Sequence, residues 1–123
     1  MVAALFVLFG CSTPAPGAVR HVDARGAAEM IRTGGEILIV DVRTPGEFQA
    51  GHLENAVNVD FRGADFAGGL AKLPHDRPVL VHCQSGGRST SSLPAFEAAG
   101  FHDITHMDGG FGAWQSAGLP VVR

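Results

Sequence analysis

The chain has one lysine, two cysteines and no apolar run long enough to cross a membrane. Its nine basic residues are scattered and its net charge is −3, which argues against a nucleic-acid-binding protein with a basic face. The longest apolar run, residues 2–9, is shorter than the about 20 residues of a membrane-spanning helix. The six histidines show no spacing typical of a metal site. An apolar fraction of 46% over 123 residues is sufficient for one packed domain.

The two cysteines, Cys11 and Cys83, differ too much in context to predict a disulfide between them. Cys11 follows the apolar run 2–9, which is similar to the apolar part of a secretory signal. The junction Leu8-Phe9-Gly10-Cys11 resembles a bacterial lipobox. This resemblance implies that the leader is cleaved before Cys11 and that the Cys11 thiol is acylated.

The residues after Cys11 contain prolines and a glycine, which is typical of a tether. We therefore predict a leader and tether at residues 1–18 and a folded domain at residues 19–123. The expected location is the periplasm or cell envelope, with a membrane tether through lipidated Cys11. The alternatives are an uncleaved anchor, a buried first element, and a cytoplasmic protein whose start is wrongly assigned.

Beyond residue 18, short apolar runs alternate with helix-like segments. Residues 37–40 and 79–81 are apolar throughout, as expected of parallel strands covered on both faces. The alternation predicts an α/β domain with a small parallel sheet of about five strands, flanked by helices on both faces. The other predicted strands lie at residues 20–22, 57–59 and 104–107.

Three helical segments carry specific expectations. Thr44-Pro45-Gly46-Glu47 is typical of a capping box at a helix start. A loose helix is predicted over residues 61–73, broken near Gly68 and Gly69. Pro94 should bend the helix that begins near Arg88 without abolishing it.

The most informative stretch is residues 79–89, where an apolar run ends at Cys83 and a glycine-rich loop leads into a helix. The loop consists of Gln84, Ser85, Gly86, Gly87 and Arg88. Backbone N–H groups in such a loop, together with the positive end of the helix, form a cradle for an anion. The simplest anion is the Cys83 thiolate, whose pKa would fall below the usual value of about 8.5. We therefore predict that Cys83 is a nucleophile; the alternative is an inert buried thiol.

Each loop residue has an expected role. Gly86 and Gly87 should adopt positive φ and let the chain approach the sulfur. The loop mainly contributes N–H groups, and the Ser85 hydroxyl is a second candidate donor to the sulfur. Arg88 is expected either to face the bound anion or to pair with a neighbouring carboxylate.

Four blocks in this order resemble the rhodanese (sulfurtransferase) family, and the resemblance covers about residues 19–121. The blocks are DVRTPGEF at 41–48, GHLENAVN at 51–58, VLVHCQSGGRS at 79–89, and GGFGAW at 109–114 with GLPV at 118–121. The loop has four residues between Cys83 and Arg88, one fewer than in cysteine phosphatases, and a tighter loop suits one extra sulfur atom. A phosphatase or arsenate reductase is therefore disfavoured.

The resemblance implies a thiosulfate sulfurtransferase that uses no cofactor. Cys83 would take a sulfur atom from a small anionic donor such as thiosulfate and hold it as a persulfide. A nucleophilic acceptor, cyanide in the test tube, would then remove that sulfur. The alternative is a relay or binding module that exchanges the persulfide sulfur with a partner protein, as donor or acceptor.

Asp41, Cys83 and Asp108 each end a predicted strand, so they should share the rim beyond the carboxyl ends of a parallel sheet. Asp41 is expected to fix the loops by hydrogen bonds. Arg43 is expected either to pair with Glu47 or, as the resemblance implies, to meet the anionic donor at the rim. His82 should point to the opposite face from Cys83 and is a poor candidate for its base.

Overall fold

The computed structural model describes residues 18–123, so Cys11 and the predicted leader and tether before Ala18 lie outside the described residues. Strands and helices alternate over the described part of the chain. The strands are β1 Val19–Val22, β2 Leu38–Asp41, β3 Val57–Asn58, β4 Val79–His82 and β5 Ile104–Met107. The helices are α1 Ala24–Thr33, α2 Pro45–Ala50, α3 Phe66–Ala71, α4 Gly87–Ala98 and α5 Gly110–Ser116. No helix among the described residues has the length and apolar character to span a bilayer.

The five strands form one parallel sheet in the order β1-β5-β4-β2-β3. The predicted α/β class and the parallel sheet of five strands are confirmed. The central strand β4 pairs with β2 and β5, so that Val81 lies between Val40 and His106. Because all strands run the same way, their carboxyl ends lie along one edge of the sheet.

Two apolar clusters cover the two faces of the sheet. On one face, strand residues Val81 and Ile104 pack with Leu93 and Phe96 of α4. On the other face, strand residue Leu80 packs with Ala27 of α1 and Trp114 of α5. Alternate residues of each strand thus serve opposite layers. Cys83 belongs to the α4 side, and His82 lies one residue earlier on β4.

The third helix differs from its prediction. It begins at Phe66, after turns at residues 61–65, because the Asp65 side chain caps it and accepts a hydrogen bond from the N–H of Gly68 at 2.9 Å. Gly68 and Gly69 lie inside the helix and do not break it. Gly69 has a packing reason, since a Cβ there would lie 2.7 Å from Val59 Cγ1.

The fourth helix runs unbroken from Gly87 to Ala98 with Pro94 inside it. The expectation that proline would not abolish this helix is confirmed. Pro94 itself is exposed, whereas Leu93 and Phe96 on the inner side of the helix are buried. Burial of these apolar side chains offsets the backbone hydrogen bond that proline cannot make.

Candidate active site

Cys83 follows the last residue of the central strand and is almost fully buried, with 1% of its surface exposed. Its Sγ accepts a hydrogen bond from the backbone N–H of Gly86 at 3.1 Å. It also accepts one from the Ser89 hydroxyl at 3.2 Å. The strand therefore delivers the thiol to the start of α4, where donors surround it, as the sequence predicts.

The bend of the loop depends on Gly86, the residue before α4. Its φ is 110°, in the left-handed region, and a Cβ there would lie 2.5 Å from the carbonyl oxygen of Asp108. Gly87 is different because it is the first residue of α4 and does not have a positive φ. The expectation of positive φ at Gly87 is therefore wrong; helix α4 already sets its backbone.

The outer side of the loop is held by α5. The N–H of Phe111 donates to the carbonyl oxygen of Cys83 at 2.8 Å, and the N–H of Gly112 donates to that of Gln84 at 3.0 Å. Gly110 allows this close packing, since a Cβ there would lie 2.7 Å from the Cys83 carbonyl oxygen. With these carbonyls bound to α5, the N–H of Gly86 is free to face the sulfur.

The surroundings of the sulfur favour its thiolate form. Burial raises the pKa of the Cys83 thiol, but the Ser89 hydroxyl and backbone N–H groups of Ser89, Ser85 and Gly86 lower it. The hydrogen bonds prevail, and the pKa lies below its ordinary value. This is the electrostatic property expected of a nucleophilic cysteine.

The side-chain hydroxyl at the sulfur belongs to Ser89, and not to Ser85, which is exposed. A signal for Ser89 was available in the sequence. A side chain in the first turn of a helix points back toward the helix N-terminus. Ser89 is the third residue of α4, so its hydroxyl reaches the thiol that precedes the helix.

Arg88 is paired with Glu47, the second of its two expected roles. Its guanidinium donates to the two carboxylate oxygens of Glu47 at 2.6 and 2.9 Å. The capping box is confirmed, because Glu47 also accepts from the backbone N–H of Thr44 while the Thr44 hydroxyl accepts from the N–H of Glu47. The Arg88 hydrogen bonds, with those from Thr44, lower the pKa of Glu47 to about 2 against the opposing effect of burial.

Asp41 and Arg43 lie where β2 ends, yet neither is exposed at a rim, because they are 0% and 2% exposed. The Arg43 guanidinium donates to both carboxylate oxygens of Asp41, and its Nη2 also donates to the Gly51 carbonyl at 2.7 Å. Its Nη1 reaches Gln84 Oε1 at 3.3 Å. The expected pair of Arg43 with Glu47 is therefore wrong, because Asp41 is two residues away and faces the same side of the extended chain. The expected contact of Arg43 with the donor stays a prediction.

Buried Arg43 and Asp41 instead connect the end of β2 to the Cys83 loop through Gln84. The guanidinium carbon of Arg43 lies 4.1 Å from the centre of the Phe111 ring, a cation–π contact that also reaches α5. The expected role of Asp41 in fixing the loops agrees with this arrangement.

His82 turns away from Cys83, as expected from its position on the strand. Its Nδ1 lies 2.9 Å from the carbonyl oxygen of Cys83. Burial lowers the pKa of His82, so the ring is neutral near pH 7. His82 supports the backbone at the site and does not reach the sulfur.

A cavity of about 340 Å³ opens beside the sulfur. Its lining residues are Phe61, Arg62, Cys83, Ser85, Gly87, Arg88 and Ser91. Arg62 is exposed and forms no ion pair with any residue in 18–123, unlike Arg88. Arg62 was missed by sequence reasoning, because it lies 21 residues before Cys83 in an irregular segment.

Comparison with known proteins identifies the family. A family model described as a rhodanese-like domain matches residues 23–117, most of the chain. The chain belongs to the rhodanese-like family. The sequence-based resemblance is therefore confirmed, and the central Cys83 loop is the loop of a rhodanese-like domain.

Several curated proteins resemble this rhodanese-like domain. It is 34% identical over 93 residues to "Probable adenylyltransferase/sulfurtransferase MoeZ" of Mycobacterium tuberculosis, covering 76% of this chain and 24% of that protein. The chain thus spans about a quarter of the length of that relative. It is 32% identical over 101 residues to "Thiosulfate sulfurtransferase GlpE" of Vibrio cholerae, covering 82% of this chain and 92% of the relative.

A solved structure agrees with the family assignment. The crystal structure of a rhodanese-related protein from Thermoplasma volcanium matches with a TM-score of 0.72 and 26% identity. The match covers 84% of this chain and 97% of the other. The architecture of this rhodanese-like domain is therefore that of a solved relative along nearly its whole described length.

One group of side chains within residues 18–123 has the composition of a metal site. The ligand atoms of His21, His106 and Asp108 lie within 4.8 Å of one another. Hydrogen bonds already join them, because the Nδ1 atoms of His21 and His106 lie 2.6 and 2.7 Å from the same Asp108 oxygen. The grouping is thus accounted for by these bonds alone.

Proposed function

We propose that the protein is a thiosulfate sulfurtransferase in which Cys83 carries the sulfur. The thiolate attacks the outer sulfur of thiosulfate, the sulfur–sulfur bond of the donor breaks, and sulfite leaves with the electron pair. Cys83 then holds a persulfide. Attack by cyanide on the outer sulfur of that persulfide gives thiocyanate and restores the thiolate, so no oxidant or cofactor is consumed.

The observation that carries the proposal is the set of donors around Cys83 Sγ, namely the Gly86 N–H and the Ser89 hydroxyl. Negative charge stays close to these fixed groups throughout turnover, first on the thiolate and then on the persulfide. Donors that are already in place need not reorganise during the reaction. Membership of the rhodanese-like family supports the same chemistry.

Arg62 is proposed as the residue that attracts the anionic donor. It lines the cavity beside Cys83 and has no carboxylate partner among the described residues. Arg88 also lines the cavity, but its guanidinium is bound to Glu47. A thiosulfate dianion would therefore meet one uncompensated positive charge at the opening.

Sulfur relay with a partner protein is the second candidate. It is favoured by the M. tuberculosis relative, whose name combines an adenylyltransferase with a sulfurtransferase in a longer protein. A high KM for thiosulfate, together with fast transfer from a protein persulfide, would support the relay over the small-molecule enzyme. Either version uses the same persulfide on Cys83.

The test is mass spectrometry of the Cys83 peptide after incubation with thiosulfate. We expect a gain of one sulfur atom that cyanide removes, with release of thiocyanate. Measuring the peptide separates Cys83 from Cys11. The matched control is Cys83→Ser, which keeps a similar shape but cannot hold the transferred sulfur. Absence of the added sulfur from a natively folded wild-type protein would refute the proposal.

We also propose that lipid on Cys11 holds the protein at the cell envelope. The support is the apolar run 2–9, the junction at residues 8–11 and the tether after it. A lone thiol in the folded domain suits that setting, since Cys83 is the only cysteine among residues 18–123 and could not be trapped there in an internal disulfide.

A further inference from the structure

A chain of hydrogen bonds leads from the sulfur of Cys83 through the protein to its surface. The Ser89 hydroxyl lies 3.2 Å from Cys83 Sγ and 2.6 Å from Nε2 of His106. The other ring nitrogen of His106, Nδ1, lies 2.7 Å from an Asp108 carboxylate oxygen. The side chain of His106 is 2% exposed, whereas that of Asp108 is 58% exposed. The chain thus joins a buried thiol to an exposed carboxylate.

The single hydroxyl hydrogen of Ser89 makes the protonation state of His106 depend on the protonation state of Cys83. Ser89 has one hydroxyl hydrogen, which cannot serve both Cys83 Sγ and His106 Nε2, and the Gly86 carbonyl oxygen lies within reach of the same hydroxyl at 3.2 Å. The Asp108 carboxylate requires a hydrogen on Nδ1 of His106, so in the neutral ring Nε2 is an acceptor and binds the Ser89 hydrogen. Ser89 can donate to the thiolate only when Nε2 also carries a hydrogen, which makes His106 an imidazolium.

We propose that His106 receives the thiol proton of Cys83 through the Ser89 hydroxyl. The S–H proton moves to Ser89 Oγ while the original hydroxyl hydrogen moves to His106 Nε2. The products are a thiolate, an intact serine hydroxyl and an imidazolium paired with the Asp108 carboxylate. No bond between heavy atoms changes and no oxidant is needed. Ser89 contacts the reacting sulfur. His106 and Asp108 act through Ser89 and are positioning residues.

The titratable and charged groups near His106 lie on the segments packed around it. Asp108 is ionised, because hydrogen bonds from His106 and His21 lower its pKa. His21, on the neighbouring strand β1, shares that carboxylate and presents its ring edge-on to His106 at 5.3 Å. His82, the last residue of β4, is kept neutral by burial and points to the other face, and the Cys83 thiolate follows it directly. From α4, Arg88 lines the same cavity as the sulfur, and its charge is already neutralised by Glu47.

This inference rests on the proposed function only in taking Cys83 as the nucleophile, and its test needs no sulfur donor. The rate of Cys83 alkylation by iodoacetamide is measured against pH, again on the isolated Cys83 peptide. The wild-type profile should show two apparent pKa values, because thiol and imidazole titrate as a coupled pair. In His106→Gln, which keeps a hydrogen-bonding group near Ser89 but cannot accept the proton, the profile should be a single step. Its midpoint should lie about one pH unit higher, which makes alkylation about tenfold slower below both midpoints.

The matched control is His102→Gln. His102 is exposed and lies four residues before His106, and its substitution should leave the profile unchanged. Ser89→Ala removes the connection between thiol and imidazole. Adding His106→Gln to Ser89→Ala should therefore produce no further shift, whereas a merely structural effect of His106 would persist in the double variant. An unchanged profile in natively folded His106→Gln, or full additivity with Ser89→Ala, would overturn the proposal.

If His106→Gln does not fold, Asp108→Asn is the variant that tests the proposal. That side chain is mostly exposed and its amide cannot stabilise an imidazolium by charge. We expect the Cys83 midpoint to rise in the same direction, and an unchanged midpoint would refute the proposal. Persulfide formation on wild-type Cys83 is scored separately, so failure of the proton path and failure of sulfur transfer remain distinguishable.

Discussion

Arg88 donates two hydrogen bonds to Glu47, at 2.6 and 2.9 Å, and thereby joins the first turn of α4 to the first turn of α2. The two residues lie 41 positions apart in the chain. The pair holds the helix that supplies donors to Cys83 against the segment that follows β2. The pair is therefore a structural connection beside the site, and its contribution to the stability of the fold should depend on pH.

The contribution of the Glu47–Arg88 pair should disappear in acid. The Arg88 hydrogen bonds are the main reason that the pKa of Glu47 is about 2 instead of 4.5. Because the folded pKa is lowered, the pair stabilises fully above pH 4.5 and progressively less as pH falls toward 2. We expect Glu47→Gln, which can still form a capping box, to be less stable by about 1 kcal/mol near pH 7. Urea unfolding across this range should show the difference shrinking; a constant difference would contradict it.

The two glycines of the loop should respond differently to alanine. Gly86→Ala forces a Cβ to within 2.5 Å of the Asp108 carbonyl oxygen at a φ of 110°, so we expect a loss of about 2 kcal/mol or more and at least tenfold slower sulfur transfer. Gly87→Ala meets no atom within 4 Å and should change stability by about 0.5 kcal/mol or less. Urea unfolding and thiosulfate:cyanide assays compare them. Equal effects of the two substitutions would show that the bend at Gly86 does not depend on glycine.

Arg62→Gln should weaken donor binding while leaving the chemistry of the sulfur intact. Removal of the uncompensated charge at the cavity should raise KM for thiosulfate about fivefold to tenfold, with kcat nearly unchanged. The salt dependence of kcat/KM should fall in the same variant. Arg25→Gln is the matched control, because Arg25 is exposed on α1 and does not line the cavity. A parallel loss of kcat, or no effect on KM, would remove Arg62 from the donor site.

Lipidation at Cys11 should be visible in the intact protein. Expressed in a bacterium with its leader, the wild-type chain should be membrane-associated and begin at an acylated Cys11. Cys11→Ala should block cleavage and acylation while Cys83 still reacts with thiosulfate. Mass spectrometry of detergent-extracted protein makes the measurement. A mature chain that keeps Met1 and carries no lipid would refute the anchor without affecting the sulfur chemistry.

The sequence predicted those features that follow from local pattern. Strands at residues 37–40 and 79–81 were apparent from their apolar runs, and the thiol of Cys83 was placed just after the second of them. The roles of the arginines could not be predicted in the same way. The carboxylate that a long arginine side chain contacts is set by the folded structure and not by the local sequence. In the fold, Arg43 pairs with Asp41 and Arg88 pairs with Glu47.

The hydrogen-bond partners of the sulfur show the same limit. Ser89 follows Cys83 closely and could be found from helix geometry. His106 lies 17 positions beyond Ser89 on another strand, and its contact arises from the pairing of β4 with β5. Gly86 and Gly87 are adjacent glycines, yet Gly86 lies before α4 with a positive φ, whereas Gly87 is the first residue of α4 and has an ordinary helical backbone.

We expect the hold of α5 on the loop to make the proposed sulfur transfer more sensitive to heat than the sheet is. Two N–H groups, from Phe111 and Gly112, bind the carbonyls of Cys83 and Gln84, and α5 itself is only seven residues long. Warming that detaches this short terminal helix would release those carbonyls and disorganise the donors around Sγ, while the five-stranded ladder stays paired. Such a protein would lose activity at a temperature below its cooperative melting transition, and cooling would restore it.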